Sequence, residues 1–250
     1  MLKTVIATVM VFQVAGPLRA QSLAQRINAV ATGTVRLSFA AREGVCSWNG
    51  DRISIRQSND EWQPECGPRL VRVALHLEDH RVRSVRPYVG GRWLPDTAVI
   101  DLGTVSSPEA GRFFLDLAQN AGAGTSEDED LLLPAVLADS VTVWPSLLKI
   151  ARSSRASEQL RGRAVFWLGQ AASEAAGLAL DSIATDDHGS REVRRQAIFA
   201  LSQRSTDEAV PALMRIARTN QDPELRKTAL FWLGQSEDPR AITLFEEILK

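Results

Sequence analysis

The chain has 250 residues, 29 Lys plus Arg against 30 Asp plus Glu, and 44% apolar residues. That composition suits a soluble protein of one or two domains and excludes global disorder, a collagen-like chain and a cysteine-dense miniprotein. A formal net charge of -1 excludes a general polyelectrolyte binder.

Residues 1–20 read as a secretory signal. Lys3 is a short basic start, Thr4 to Ala15 is an uncharged apolar run, and Gly16 and Pro17 break it. Leu18-Arg19-Ala20 puts a small residue at the cut. The alternative is an uncleaved anchor or a buried N-terminal helix, but the run is short for a membrane span. Cleavage after Ala20 removes Lys3 and Arg19, leaving 27 basic against 30 acidic residues and a charge of -3. No later stretch approaches the length of a span, so the chain is not expected to be integral to a membrane. The expected location is periplasmic or secreted.

The two cysteines, Cys46 and Cys66, fit that compartment as one disulfide. A metal site is the rival, since His76 and His80 could join them. Zinc sites usually hold their cysteines two to four residues apart, however, and these are twenty apart. No metal or cofactor is expected.

Residues 21–105 are β-rich. Ser22 to Ala31 predicts a short helix. Thr34 to Phe39 and Arg52 to Arg56 alternate as strands do. In Leu70 to Val89, Val71, Val73, Leu75 and Leu77 face one way while Arg72, His76 and Glu78 face the other. Glu78-Asp79-His80 is the turn, and the return strand carries a register irregularity around Ser84. Gly90-Gly91 and Pro95 punctuate before a last strand over 97–102. Alternation of this kind means a sheet with one buried face. A small antiparallel sheet is expected, slightly basic, with eleven Arg and no Lys against nine acids.

Residues 106–250 are helical in period. Ser107-Pro108-Glu109 predicts a helix start with Ser107 able to cap. Residues 121–130 (AGAGTSEDED) read as a linker; the acidic run could bind a divalent cation but lacks the ligand order of a calcium loop. Three later segments superpose: LRGRAVFWLGQ (160–170), VRRQAIFALSQ (193–203) and LRKTALFWLGQ (225–235), at offsets of 33 and 32. A second helix follows each, aligning Ala176, Ala209 and Ala241, then Leu180, Leu213 and Phe245, then Ile183, Ile216 and Ile248. An earlier copy carries Val143, Leu147 and Ile150, its first helix degraded around Pro134. Ser190, Asp222 and Asp238 stand where helices should be capped. Two helices per period near 33 predict an α-solenoid, because one unit cannot bury both its faces. The fold class is therefore α+β: a small antiparallel β-rich region followed by a solenoid of helix pairs.

The Val/Leu-Arg-x-x-Ala-x-x-x-Leu-Gly spacing, with Leu and Ile three apart in the next helix, resembles HEAT-like repeats of the short bacterial type, including the phycobilisome-lyase HEAT-like repeats. The likeness covers 140–250 well and 107–139 loosely; residues 21–105 carry no family pattern. The resemblance implies that second helices line the concave face. Some relatives are bilin lyases acting on pigments in the cytoplasm; export and paired cysteines count against that activity here.

Reading the second helices across repeats gives two outward rows. One is Lys149, Ser182, Arg215 and Glu247; the other is Arg152, Thr185, Arg218 and Lys250. Lys149, Arg152, Arg215 and Arg218 are the candidate partner-binding residues, suited to an acidic protein segment or an anionic polymer, against the alternative of a solvated helix face. Nucleic acid is not the expected partner, given the negative mature charge. Phe166, Trp167, Phe199, Phe231 and Trp232 are expected in the inter-repeat core, with an aromatic ligand groove as the alternative. Gln170, Gln203 and Gln235 are expected to satisfy backbone groups at helix ends. His188 lies in an acidic turn, and no nucleophile elbow or phosphate loop is present. The expectation is a non-enzymatic exported scaffold that binds a protein partner. An envelope ligand-binding module using the β-rich region and interdomain groove is the alternative.

Overall fold

The computed structural model describes residues 21–48, 52–55, 70–120, 131–171 and 173–248. The expected signal, Cys66, the acidic run and Lys250 lie outside those residues, as does any account of the Cys46 side chain. Strand β6 ends at Thr104 and helix α2 begins at Ser107.

Helix α1 (Leu23–Asn28) is capped by Ser22, whose hydroxyl accepts the Gln25 N–H, while Gln25 Oε1 accepts the Ser22 N–H in return. Strands β1 (Gly33–Ala40), β4 (Leu70–Glu78), β5 (Arg81–Val89) and β6 (Val99–Thr104) form one sheet in the order β5-β4-β1-β6. Between β1 and β4, β2 (Val45–Trp48) and β3 (Arg52–Ile55) make a separate antiparallel pair.

The sheet is mixed, not purely antiparallel. β5, β4 and β1 pair antiparallel as expected, but β6 lies parallel to β1. β5 and β6 therefore run the same way at opposite edges, and residues 90–98 must travel back along the sheet. They cross its outer face over β1: Arg36 donates to the Leu94 carbonyl (3.1 Å) and its guanidinium stacks 4.6 Å from the Trp93 ring. Gly103, at φ +70°, accommodates a bulge where two β6 residues oppose one on β1.

The β4–β5 turn places both Asp79 (φ 50°) and His80 (φ 58°) in the left-handed region, as a tight twisted hairpin requires. His80 is held there from α1's end: its N–H donates to Ala31 O (2.8 Å) and its Nδ1 to Asn28 O (2.9 Å). The register irregularity is real. His76 faces Ser84 and Leu77 faces Val82, leaving Arg83 as the extra residue.

Val35, Leu37, Phe39, Val71, Val73, Leu75 and Leu77 are buried on the inner face. The helical region covers them. Helices α2 (Ser107–Gln119) and α3 (Leu133–Leu137) pack on the sheet, with Phe39 and Phe114 rings 6.2 Å apart. The end of β1 continues into this contact, since Ala41 bridges Ala138, Arg42 N–H donates to Leu137 O and Asp139 N–H to Ala40 O. One apolar core thus runs from sheet to solenoid.

The cap of α2 is Ser106 rather than Ser107. Ser106 accepts the Glu109 N–H, while the buried Ser107 hydroxyl donates to Ala40 O (3.0 Å). The carbonyl of β1's last residue decides which serine does which.

In α2 the close neighbour is Val141. A Cβ added at Gly111 would stand 2.8 Å from a Val141 methyl. A β-branched side chain has little room to rotate away. Gly111→Ala should therefore lower the urea midpoint, despite about 1 kcal/mol gained in helix propensity, because overpacking costs about 1–3 kcal/mol. A midpoint at or above the parent's would show that Val141 yields freely.

The repeat register holds. Helix α4 (Trp144–Ala151) is the second helix of the earliest unit, whose first helix is the five-residue α3 around Pro134. Then come α5 (Glu158–Gly169) with α6 (Glu174–Ala184), α7 (Arg191–Ser202) with α8 (Thr206–Thr219), and α9 (Pro223–Gly234) with α10 (Pro239–Ile248). Ala164, Ala197 and Ala229 are fully buried, as are Leu168, Leu201 and Leu233. First helices α5, α7 and α9 form one layer; second helices α4, α6, α8 and α10 form the other, and α4, α6 and α8 each also pack on the next first helix.

Candidate interaction surface

The second-helix ridge is tied together between repeats. Arg215 pairs with Asp181 of the preceding second helix, and Arg218 reaches Glu247 of the following one at 2.6 Å. Arg152 donates to the Ser182 carbonyl (3.2 Å), and Lys149 stands exposed on α4. The four candidate cations do lie on one layer. Three of them also make contacts between neighbouring second helices, in exposed positions where an ion pair contributes about 0–1 kcal/mol.

The aromatic residues divide. Trp167 and Trp232 are partly buried and pack against the core. Phe166, Phe199 and Phe231 are 51%, 43% and 58% exposed, contrary to the core position expected for them. The reason is angular: at about 100° per residue, a side chain two places from both Ala164 and Leu168 points about 200° from each. The same offset applies in all three repeats, so the three rings form a row on the first-helix layer.

Grooves lie between these rings. The first, about 610 Å³, runs between α5 and α7 with Phe166, Phe199, Gln170, Gln196 and Gln203 in its walls. The second, about 570 Å³, runs between α7 and α9 with Phe199, Phe231 and Trp232. Phe199 is common to both. Small residues bring the helices close along the floor: a Cβ added at Gly169 would meet Ala200 Cβ at 3.0 Å. The glutamines expected to finish helix ends, Gln170 and Gln203, do occupy C-cap positions, but both side chains are exposed and line the first groove.

Charges beside the second groove cancel locally. Glu192 pairs with Arg195 (2.6 Å) and Glu224 with Lys227 (2.7 Å), each three residues apart on one helix. The second groove is thus aromatic with its charges already matched, and the first is amide-rich.

Helix ends sharpen the repeat assignment. Asp222 caps α9 by accepting the Glu224 N–H (2.9 Å), and the Arg191 guanidinium at 2.5 Å holds its carboxyl below the usual carboxylate range. Asp238 accepts the Arg240 N–H (2.8 Å), and its bond to the Arg240 side chain lowers it likewise. Both caps contribute stability above the ordinary carboxylate range, and that contribution is lost as pH falls through the depressed values. Ser190 stands at the N-cap of α7, but its hydroxyl is directed across to Glu158 on the preceding first helix.

The matched arginines hold the loops. Buried Arg194 donates to Ala184 O (3.3 Å), Asp187 (3.0 Å) and Asn220 Oδ1 (3.2 Å). Arg226 donates to Asn220 O (2.7 Å) and Gln221 O (3.1 Å). In α7 and α9, an arginine near the helix start thus closes the loop behind it. Residues 179–250 match the family model for HEAT repeats. The C-terminal helix pairs are HEAT-like repeats. No curated protein matches the chain. The HEAT-like units at α6 to α10 carry the match; α5 and α4 continue the same register upstream.

The histidines do not converge. His76 is exposed beside Glu78 (3.6 Å), His80 is bound to the Asn28 carbonyl, and His188 is exposed in its turn. Among the described residues no group of three His, Cys, Asp or Glu side chains could hold a metal, and no helix is long and apolar enough to cross a membrane.

Proposed function

We propose that the protein is an exported, non-enzymatic scaffold that holds an apolar segment of a protein partner against the first-helix layer of its HEAT-like repeats. The observation carrying this reading is the row Phe166, Phe199 and Phe231 flanking two adjacent grooves. Burying one large apolar side chain is worth about 1.5–3 kcal/mol, less the cost of ordering the partner. Matched charges beside the second groove favour an uncharged segment there, and the glutamines of the first groove offer donors and acceptors to its backbone. Repeat solenoids expose extended surfaces of this kind. The apolar run before Ala20 supports export to the periplasm or beyond, where Cys46 and Cys66 would pair.

A second reading places an acidic segment on the ridge of Lys149, Arg152, Arg215 and Arg218; the exposure of Lys149 and Arg152 favours it. Native and intact mass spectrometry of the tagged protein, purified gently from its own cell envelope, tests both. The expected species begins at Gln21, is two hydrogens lighter than the reduced chain, and carries a stoichiometric polypeptide that Phe199→Glu removes. If reversing the four ridge cations removes that polypeptide and Phe199→Glu does not, the ridge is the site. A bound non-protein mass would turn the reading to a ligand module. A bare chain from both parent and variant would end the scaffold reading.

A further inference from the structure

The sheet turns one face to the helices and carries unneutralised charge on the other. Side chains alternate along β1, β4 and β5, so Arg36, Arg72, Arg86 and Tyr88 stand opposite the buried Val35, Val73, Val85 and Val89. Arg36 donates to the Leu94 carbonyl and Arg72 to the Gly90 carbonyl (2.8 Å), neutral acceptors that leave both charges unpaired. Arg86 is exposed and makes no hydrogen bond or ion pair among the described residues. The nearby acids do not answer them. Glu78 lies 3.5 Å from Arg83 and 3.6 Å from His76, while Asp96 and Asp101 each accept a backbone N–H two residues on.

Apolar groups stand among these cations. The Trp93 ring meets Tyr88 edge-on at 5.6 Å and the Arg36 guanidinium at 4.6 Å. Tyr88 is on β5 and Arg36 on β1, so the indole lies across β4, where the small Ala74 has Arg36 on one side and Arg86 on the other. Trp93 Nε1 and Arg36 Nε are buried donors without an acceptor among the described residues. Beside them Tyr88 is 38% exposed and Leu94 is 73% exposed. With the Leu94 carbonyl held down by Arg36, its side chain is the part that protrudes.

The two features select the occupant together. An acidic peptide would match the guanidiniums and leave Leu94 in water. An apolar protein surface would cover Leu94 and strand the cations away from solvent. The surface of an anionic bilayer offers phosphates and hydrocarbon within the span of one side chain, and Arg, Trp and Tyr are suited to that level. We propose that the outer face of the sheet is a peripheral docking surface for an anionic lipid bilayer, with Arg36, Arg72 and Arg86 at the phosphates and Tyr88, Trp93 and Leu94 at the edge of the hydrocarbon. Helices α2 and α3 pack on the opposite face, so this contact leaves the Phe row free for a protein partner and does not depend on it.

Flotation with vesicles tests it, using the chain that begins at Gln21 so that the apolar run before it takes no part. The chain should bind vesicles of phosphatidylcholine and phosphatidylglycerol in equal parts, ignore vesicles of phosphatidylcholine alone, and be released by high salt. Arg72→Gln with Arg86→Gln should weaken binding about twenty-five-fold, at about fivefold per arginine. Leu94→Ser, at a side chain too exposed to support the fold, should weaken it about tenfold. Arg112→Gln with Arg155→Gln removes the same charge from exposed sites on the helices and should leave binding at the parental level. No binding to the anionic vesicles, equal binding to the neutral ones, or an equal loss in the Arg112 and Arg155 variant would overturn the proposal. So would anionic binding that Leu94→Ser leaves at parental strength, which would give the face to an acidic polymer instead.

Discussion

Leu201→Asp should abolish the cooperative thermal unfolding of the helical region. Leu201 is buried in α7, at the position shared with Leu168 and Leu233 along the core. A carboxylate there has no cation to pair with and must either stay charged in an apolar setting or take up a proton. Either way the cost is several kcal/mol, a large part of the roughly 5–15 kcal/mol that holds a typical domain folded. Circular dichroism melts would show a broad, early transition. The matched control is Leu178→Asp on α6, where the side chain is 66% exposed and the melt should stay within a few degrees of the parent. A sharp melt at the parental temperature for Leu201→Asp would mean that the repeat register is misassigned.

Arg194→Ala should be the most damaging loss of a single polar side chain. Its guanidinium meets the last turn of α6 through Ala184 O and the α8–α9 loop through Asn220, which itself accepts the Asp222 N–H that opens α9. Truncation removes the charged donor that Ala184 O and Asn220 Oδ1 otherwise share with Asn220 Nδ2 and the Asp222 N–H, and it breaks the Asp187 ion pair; hydrogen bonds to charged groups are worth about 1.5–3 kcal/mol. The expected loss is about 2–4 kcal/mol by urea unfolding. Arg194→Lys should recover little of it, since one ammonium cannot span acceptors on two elements as a planar fork does. A parental midpoint for Arg194→Ala would assign the loop's order to the backbone alone.

The parts of this fold legible in the sequence are those where one face is buried and the period is regular. Leu70 to Glu78 announced its inner side by strict alternation, and the offsets of 33 and 32 placed the buried Ala164, Ala197 and Ala229 and the buried Leu168, Leu201 and Leu233 of the first helices. Direction was not legible: alternation is the same in a parallel strand as in an antiparallel one, so β6 was read as closing an antiparallel sheet. The cap of α2 turned on Ala40, 67 residues before Ser107, and a neighbour that distant leaves no local trace. The Phe row was legible and misread. Recurrence alone suggested core, whereas the spacing from Ala164 and Leu168 already pointed Phe166 outward. Glu247 was legible as a member of the second-helix rows, but its pairing with Arg218, and that of Asp181 with Arg215, join neighbouring repeats and emerge only from the stacking.

The sheet that shares its core with α2 gives the stack a polarity. In a linear array each helix pair leans only on its neighbours. Among the described residues, a pair near the sheet is packed from both sides, while α9 and α10 are packed from one. Within them, resistance to local opening declines from the sheet outward. Contacts made by the far pair then stiffen the softest part of the described stack.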